Sequence, residues 1–419
     1  MNDNEKIEAL SEKLIKGAKP HKISEDANDE AIAVAARRRY IEKKYSARLA
    51  HISVSSIDFN DANNRNIENS IGAVQLPLGF MEICVNGEYT KGSAGSKSIV
   101  FLATTEGKLV AGASRGAAAI NSSGGATARV LKNGMTRSVV VETGSISDSV
   151  AATNYLRSRE GDAIIRKTFA GSMRYGKLQN VETYTTGRLL FIVYSADTSA
   201  AMGMNMLTIA SSAATQAITH KLMSKGITAK VLAESANMCA DKKPSMINVI
   251  RGRGVSVVAE AVIKKEVLKK YFKASAKQIE ALNYAKNYVG SSLAGSIAHN
   301  AHAANMVAAV FIAYGQDPAQ VTNSATAFDD AKALDNGDLY ISTYLPSLEI
   351  GTYGGGTRRE TQKELLLASG VYGEGDDKGV TKLKFAEIIA AAVLAGELNL
   401  LAAQAGMELS SSHASLKRG

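Results

Sequence analysis

The sequence predicts an α+β protein in which a large, mainly helical domain carries a smaller inserted domain. Two observations lead to this prediction. Residues 137–234 alternate between strand-like and helical segments in the order β-α-β-β-α-β. Outside them, residues 291–315 and 382–409 are rich in small residues, which is typical of helices packed tightly in a core. A chain of 419 residues is long enough for two or three domains.

The inserted domain is predicted at residues 117–232, and its element order is the split pattern of ferredoxin-like folds. The sequence N-S-S-G-G-A-T just inside its start is predicted to be a spacer. The expected elements are strand 137–142, helix 148–172, strands 178–184 and 188–194 around a T-T-G turn, helix 200–225 and strand 228–234.

The large domain is predicted at residues 51–116 and 233–400, between an N-terminal helical segment (1–50) and a C-terminal segment (401–419). The most apolar run, residues 385–406, contains Glu387 and Glu397, which favours a buried core helix over a membrane span. The other expected elements are strands 81–85, 98–104 and 338–343 and helices 264–272, 275–288, 291–315 and 382–409.

Composition restricts the function without deciding it. The net charge of +9 suits a polyanionic ligand such as a nucleotide, coenzyme A or nucleic acid. A basic run at residues 37–44 could contact nucleic acid, but interspersed Glu42 favours a solvated helix face. The two cysteines are too few for a disulfide framework or a cysteine-based zinc site, and we expect no metal. The N-terminus lacks the apolar region of a signal peptide, so we expect a cytoplasmic protein.

The stretch D-K-K-P at residues 241–244 places Asp241, Lys242 and Lys243 side by side between two apolar segments. A partly buried lysine shifts its pKa and becomes available for chemistry, whereas a solvated surface loop would explain the same residues. The run G-T-Y-G-G-G-T at residues 351–357 permits close backbone approach to a ligand, or forms a mobile loop. A P-loop is excluded at G-S-M-R-Y-G-K-L (171–178), since a strand rather than a helix follows.

The sequence A-A-M-G-M-N-M at residues 200–206 opens a predicted helix, and a helix N-terminus favours a pyrophosphate. Met202 and Met206 would share one face of that helix, which is more often core packing than a ligand contact. Taken singly, Glu68, Asp317 and His413 are explained as an exposed acid, a helix cap and part of a tail.

Taken together and in order, the motifs resemble those of the 3-hydroxy-3-methylglutaryl-coenzyme A reductase family, over almost everything from about residue 60 to the C-terminus. The D-K-K-P form and the histidine near the C-terminus look like the NADPH-using class that has no membrane anchor. The matching motifs are E-N-S-I-G (68–72), A-T-T-E-G (103–107), S-R-G (114–116), V-L-K-N-G-M-T-R (130–137), A-M-G-M-N-M (201–206), D-K-K-P (241–244), G-R-G (252–254), N-A-H-A-A-N (300–305), G-Q-D (315–317), G-T-Y-G-G-G-T (351–357) and A-G-E-L (395–398).

The resemblance implies reduction of a thioester to an alcohol by two hydrides from NADPH. It implies that the Lys242 ammonium stabilises the oxyanion and that Glu68 donates a proton to the carbonyl oxygen. Asp317 would be the carboxylate that bridges Lys242 and Glu68. His413, carried on a C-terminal flap at residues 401–419, would protonate the departing coenzyme A thiolate.

The resemblance also implies where ligands bind and how the protein assembles. It implies at least a homodimer with active sites between subunits, and neither nucleic acid nor a membrane as partner. Residues implied for hydroxymethylglutaryl-coenzyme A are Arg115, Ser235, Asn237, Asp241, Lys243, Lys286, His302 and Asn305. Those implied for NADPH are Arg174, Met202, Gly203, Met204, Asn205, Gly354, Gly355 and Gly356.

The chain also departs from the family pattern. Ala200 stands where the family has an acidic residue before A-M-G-M-N-M, with Asp197 three residues earlier, and Tyr353 stands where it has a small apolar residue. These departures leave open a related reductase that acts on another acyl-coenzyme A or uses NADH. A non-catalytic, basic nucleotide-binding protein is the alternative from a different class. The presence of all four catalytic residue types argues against it.

Overall fold

The protein was analysed as a computed structural model, which describes residues 2–27, 30–50, 66, 75–91 and 96–407. The strands are β1 (Leu78–Gly87), β2 (Lys97–Ala103), β3 (Ala126–Thr143), β4 (Lys177–Thr186), β5 (Leu189–Asp197), β6 (Ala229–Ala233), β7 (Gly254–Ile263), β8 (Phe328–Ala333) and β9 (Leu339–Leu348). The helices are α1 (Asp3–Ile15), α2 (Ile23–Ala27), α3 (Glu30–Lys44), α4 (Leu109–Ser122), α5 (Ile146–Arg157), α6 (Arg159–Ser172), α7 (Met204–Ser224), α8 (Met246–Arg251), α9 (Lys265–Tyr271), α10 (Ala276–Leu282), α11 (Ser291–Leu293), α12 (Ala303–Ala313), α13 (Val321–Ser324), α14 (Glu360–Ala368) and α15 (Val380–Ala405). A π-helix covers Asn283–Gly290.

Strand β3 connects two hydrophobic cores. It is 18 residues long, and its first half pairs with β7 in the antiparallel sense and briefly with β1 in parallel. Its second half, from Met135 onward, pairs antiparallel with β5 and β6. Register shifts at 130–132 and 140–141 interrupt the pairing, and such irregularities bend a strand. The curled sheet therefore continues from one core into the other.

The second core lies between helices and the strands in the order β4-β5-β3-β6. Helices α5, α6 and α7 contribute apolar faces to it, including Phe169, Leu207 and Ile218, and Tyr194 of β5 is fully buried there. With helices between its strands, this order is that of a split βαβ unit. The α+β prediction is confirmed to the extent that the chain combines helices with a β-sheet.

The first core lies beneath the strand order β2-β1-β3-β7-β9-β8 and is filled by α15. Among the described residues, α15 is the helix long and apolar enough to cross a membrane, but 89% of its apolar window is buried inside the protein. Its Glu387 carboxylate accepts hydrogen bonds from the backbone N–H groups of Glu88, Tyr89 and Thr90. The prediction of a buried core helix is confirmed.

Several predicted elements differ from the structure. The helix expected at 148–172 is two helices, because Ser158 is extended and caps α6 by accepting from the Gly161 N–H. The helix expected from residue 200 begins at Met204, since Gly203 is left-handed at φ +91°. The supposed spacer enters β3 at Ala126, and the helix expected at 291–315 is helical mainly in α12. The elements that were not predicted from the sequence include β7, β8, α8, α13 and α14.

The predicted domain limits remain a prediction. Residues 117, 232 and 400 lie inside α4, β6 and α15. Helix α4 packs Ala113, Ala117 and Ile120 into the first core on both sides of the limit at 117. The predicted C-terminal segment begins within the last turns of α15, which ends at Ala405 before Gly406.

Candidate active site

The D-K-K-P motif lies in a loop that has unusual backbone conformations. Asn237, Ala240 and Lys242 have φ values of +56°, +46° and +58°, a region that residues other than glycine seldom adopt. Such strain persists only where the surroundings hold the chain in place. The side chains of Asn248 and Asn323 do so here, by donating to the carbonyl oxygens of Cys239 and Ala240 at 3.3 Å and 3.1 Å. The direction in which Lys242 projects is therefore set by buried amides.

Lys242 pairs with Asp317, as the sequence analysis expected of a catalytic lysine and its carboxylate. The Lys242 Nζ lies 3.2 Å from Asp317 Oδ2, and the two side chains are 48% and 32% exposed. The other oxygen of Asp317 accepts from the Ala319 N–H at 3.0 Å, so the helix-cap interpretation also holds. This leaves an ammonium at the surface with one face open to a ligand.

Asp241 points the other way, toward buried cations. Its carboxylate accepts from Gln320 at 2.8 Å and lies 3.1 Å from the Arg253 guanidinium and 3.4 Å from Arg137. Burial alone would raise the pKa of Asp241, but the Gln320 hydrogen bond and the two guanidinium charges outweigh it and lower the pKa. Asp241 therefore anchors the loop as an anion.

Arg253 is fully buried below this loop and joins several parts of the site. Its guanidinium pairs with Asp241 and Glu349, and lies 2.8 Å from the Met204 sulfur at the start of α7. Burial raises the pKa of Glu349 to about 7 although the Arg253 charge opposes this. Asn323 also donates to Glu349, at 2.8 Å. One arginine thus connects the lysine loop to the predicted cofactor helix.

A second cluster surrounds His302. The Ala301 and His302 N–H groups donate to the buried carboxylate of Glu397, and the His302 Nε2 lies 2.9 Å from the Gly396 carbonyl oxygen. The Asn305 amide is 3.4 Å from His302 Nδ1, and Lys286 Nζ is 3.4 Å from the Ala301 carbonyl oxygen. His302 and Asn305, which were expected beside the catalytic residues, and Lys286, which was expected at coenzyme A, are therefore neighbours.

Asp329 is buried behind the His302 cluster, where it shares a hydrogen bond with Glu397. It also accepts from Thr343 at 2.5 Å and from Asn287 at 3.2 Å. Burial and the nearby Glu397 charge raise the pKa of Asp329 well above its ordinary range. The raised pKa favours the neutral form of Asp329, which can donate its proton to Glu397.

The other predicted substrate residues lie around these two clusters. Ser235 and Asn237 are exposed in the loop after β6, and Lys243 Nζ lies 3.1 Å from the Asp241 carbonyl oxygen. Arg115, on α4, donates to Asn399 of α15 at 2.7 Å and stacks over Phe272. Asn399 follows Glu397 by two residues, so Arg115 belongs to the His302 side of the molecule.

The two predicted cofactor motifs are in contact. The Thr352 N–H donates to the Ala200 carbonyl oxygen at 2.7 Å, and a Cβ added at Gly351 would lie 2.5 Å from the Met202 nitrogen. The Gly351 N–H also donates to the Gln316 side chain at 2.8 Å. The glycine run therefore lies between the start of α7 and the G-Q-D motif that carries Asp317.

The remaining cofactor candidates lie around the same place. Arg174 is exposed over the Tyr175 ring, in a turn whose Gly176 packs on the Asp197 carbonyl. Open space faces Gly354 and Gly355. Met202 and Met204 pack partly against the second core. Because α7 begins only at Met204, the shared helix face expected for Met202 and Met206 is wrong.

Two of the four predicted catalytic residues, Glu68 and His413, lie outside the described residues. Sequence reasoning gave no role to Arg253, Glu349, Gln320 or Arg137 around Asp241. Arg253 is fully buried between two glycines of positive φ, Gly252 and Gly254, and no pattern in the sequence indicates that burial. Among the described residues, no group of three or more acid, histidine or cysteine side chains could hold a metal ion.

A lysine–carboxylate pair beside a glycine-lined helix start is the kind of site found in cofactor-dependent enzymes. Comparison with known proteins identifies the family. The family model of hydroxymethylglutaryl-coenzyme A reductase matches residues 33–418. The chain belongs to this family of oxidoreductases, and the resemblance drawn from its motifs is confirmed.

Relatives support the assignment over the full length. The chain is 45% identical to the 3-hydroxy-3-methylglutaryl-coenzyme A reductase of Aeropyrum pernix, covering 99% of this chain and 96% of the relative. It is 43% identical to that of Methanocaldococcus jannaschii, covering 98% of both. With the enzyme of Camptotheca acuminata it shares 37% identity over 99% of this chain and 69% of the relative.

Solved structures agree at the level of the fold. A class II 3-hydroxy-3-methylglutaryl-CoA reductase from Streptococcus pneumoniae, bound to NADPH in open conformations, has a TM-score of 0.66 at 20% identity. The match covers 88% of this chain and 86% of that one. This likeness supports the fold alone.

Proposed function

We propose that the protein reduces 3-hydroxy-3-methylglutaryl-coenzyme A to mevalonate and free coenzyme A, with two NADPH. The observation that carries the proposal is the 3.2 Å Lys242–Asp317 pair within a chain of this family. The Lys242 ammonium would stabilise the oxyanion that forms when the thioester carbonyl is reduced, and again at the aldehyde. Asp317 holds that ammonium in place.

Glu68 and His413 complete the proposed chemistry. Glu68 would protonate the carbonyl oxygen, and His413 would protonate the thiolate as the carbon–sulfur bond of the hemithioacetal breaks. The product of that step is an aldehyde, which is reduced to the alcohol. The acyl group would be held by Arg115, Ser235, Asn237, Asp241 and Lys243. Lys286 would contact coenzyme A, and His302 and Asn305 would lie beside the catalytic residues.

The residues at the start of α7 fit a nicotinamide dinucleotide, which supplies hydride when bound. The helix has no side-chain cap, Gly203 is left-handed, and open space faces Gly354 and Gly355. A pyrophosphate would accept hydrogen bonds from the N–H groups in the first turn of α7. The exposed guanidinium of Arg174 would pair with the 2′-phosphate.

A steady-state assay of nicotinamide absorbance with hydroxymethylglutaryl-coenzyme A tests this function. We expect turnover with NADPH and its loss in Lys242→Met. Lys221→Met is the matched control, because Lys221 also lies 3.2 Å from a carboxylate, that of Glu160. Folded wild-type protein that consumes no NADPH would contradict the proposal. Because Ala200 departs from the family pattern, NADH and other acyl thioesters should be compared in the same assay.

We further propose a cytoplasmic homodimer or larger oligomer with active sites shared between subunits. Exposed apolar side chains next to the lysine loop support it, with Leu131 57%, Met246 50% and Ile250 71% exposed. Mixing inactive Glu68→Gln and Lys242→Met proteins should restore activity if one site draws on two subunits. A monomer by light scattering would contradict the assembly and leave the reaction untouched.

A further inference from the structure

Lys382, on the first turn of α15, has a buried ammonium that the proposed reaction does not use. Its side chain is 3% exposed. The Nζ lies 3.1 Å from Thr198 Oγ1, 3.4 Å from the Ala201 carbonyl oxygen and 3.9 Å from Asp197 Oδ1. A buried charge destabilises the folded protein unless nearby dipoles or opposite charges compensate it. All three partners lie in the segment 197–203 that leads into α7, so the lysine serves that segment.

The segment 197–203 needs such support because its carbonyl groups turn inward. The Ala200 oxygen accepts from the Thr352 N–H, and the Ala201 oxygen from Thr198 Oγ1 at 2.7 Å and from Lys382. Ser199 and Gly203 are both left-handed, at φ +52° and +91°. Carbonyl oxygens that point into the protein do not repel an anion bound at the start of α7. The Lys382 ammonium contacts the negative ends of two such dipoles, the Ala201 carbonyl oxygen and the Thr198 hydroxyl oxygen.

The charge of this segment is also balanced by Lys382. Asp197 Oδ1 is engaged internally, by Asn133 at 3.1 Å and by the Ser199 N–H at 2.9 Å. Two charged groups face the ammonium, Asp197 at the end of β5 and Asp376 in the loop before α15. A carboxylate left without a cation beside α7 would repel an anionic cofactor. The ammonium offsets this repulsion.

We propose that Lys382 is a positioning residue of the cofactor site, which holds the segment 197–203 so that the start of α7 accepts the pyrophosphate of the dinucleotide. The inference rests on the proposed function, because it takes α7 as part of the NADPH site. It assigns to α15 a task at each end: Lys382 supports the cofactor side, and Glu397 supports His302. Lys382 does not touch the reacting atoms.

Lys382→Met, with Lys384→Met as its matched control, tests the proposal. Lys384 lies two residues further along α15, and its Nζ binds the Gly370 carbonyl oxygen at 3.0 Å, away from segment 197–203. In Lys382→Met we expect the Kd for NADPH, measured by nicotinamide fluorescence, and the KM for NADPH to rise about tenfold, which corresponds to about 1.4 kcal/mol. The KM for the thioester should stay within about twofold of wild type, as should all constants of Lys384→Met.

The pH profile separates positioning from general stability. Burial lowers the pKa of Lys382 to about 8, against the opposing charges of Asp197 and Asp376. As the pH rises through about 8, the wild-type ammonium loses its proton, so NADPH affinity should fall there. The affinity of Lys382→Met should be weak and flat over the same range, while Lys384→Met should keep the wild-type profile.

Thr198→Val provides a second variant should Lys382→Met fail to fold. It removes the hydroxyl that Lys382 contacts and should weaken NADPH binding about threefold. Its pH profile should be flatter than that of the wild type, as for Lys382→Met. If the wild-type protein is active and both variants keep its NADPH affinity and pH profile, the inference is wrong and the proposed function stands. Wild-type protein that neither binds NADPH nor turns over would defeat the proposed function, and the inference with it.

Discussion

Two groups of acids contact opposite ends of the segment 320–329, one through Gln320 and the other through Asp329, and they carry their charge differently. Around Arg253, the Asp241 and Glu349 carboxylates surround a buried guanidinium. In the second group, Asp329 and Glu397 share a hydrogen bond and are held by hydroxyl, amide and backbone N–H groups. The first group is ionic and fixes the loop of Lys242, whereas the second shares a proton and fixes the chain at His302.

The comparison shows how the same residue types serve different tasks. A guanidinium fixes several acceptors at once and keeps Asp241 an anion at the edge of the site. A proton-sharing acid pair fixes two backbone N–H groups without adding a positive charge beside His302. Substitutions in the two groups should therefore have different effects on the free energy of unfolding.

The largest effect is expected for Arg253→Met. It leaves Asp241 and Glu349 without their buried cation, and breaking a buried ion pair from one side costs about 3–5 kcal/mol in the free energy of unfolding. Urea denaturation at neutral pH measures it. Arg251→Met, which removes an ion pair with Glu182 at a partly exposed position, is the control and should cost no more than about 1 kcal/mol.

Adding Glu349→Gln to Arg253→Met should recover little stability, because Glu349, whose pKa is about 7 even beside the guanidinium, takes up a proton once that charge is removed. Equal losses for Arg253→Met and Arg251→Met would show that the first group does not depend on its guanidinium.

An intermediate effect is expected in the second group, and it is unequal between the two acids. Glu397→Gln places an NH₂ group against a backbone N–H that had an acceptor, which costs about 1–3 kcal/mol. Asp329→Asn replaces a protonated acid by a neutral amide and should cost about 1 kcal/mol. Urea denaturation of both variants decides the order, and the reverse order would mean that Glu397 holds the proton.

The pH dependence of stability sharpens this assignment. Burial and the Glu397 charge raise the folded-state pKa of Asp329 above its unfolded-state value, so between these two values the native state binds more protons than the unfolded state. This contribution to wild-type stability is fully present below the unfolded-state pKa and declines as the pH rises through the folded-state value. Asp329→Asn should flatten the decline. Unfolding curves collected at several pH values test it, and parallel profiles would refute it.

The smallest effect on stability is expected for Lys242→Met. The Lys242–Asp317 pair is about half and a third exposed, and such pairs contribute about 0–1 kcal/mol. Activity, however, should be lost. A stability loss as large as that of Arg253→Met would indicate that the pair is structural rather than catalytic.

The sequence by itself determined the family and the combination of helices with β-sheet, and it indicated the D-K-K-P stretch as a candidate site. Such features are local: motif spacing, apolar periodicity and turn residues are written in neighbouring positions. The predicted pairing of Lys242 with Asp317 came from the family resemblance, since no local pattern relates residues so far apart in the chain.

Only the tertiary structure decided what surrounds those residues. The contacts of Arg253 with Asp241 and Glu349, and of Lys382 with Thr198, join residues that are distant in sequence. Charged side chains in a sequence are expected at the surface, and nothing local marks the few that long-range packing buries. The break of helix 148–172 and the length of β3 were missed for a similar reason, because a cap at Ser158 and pairing with β7 outweigh local propensity.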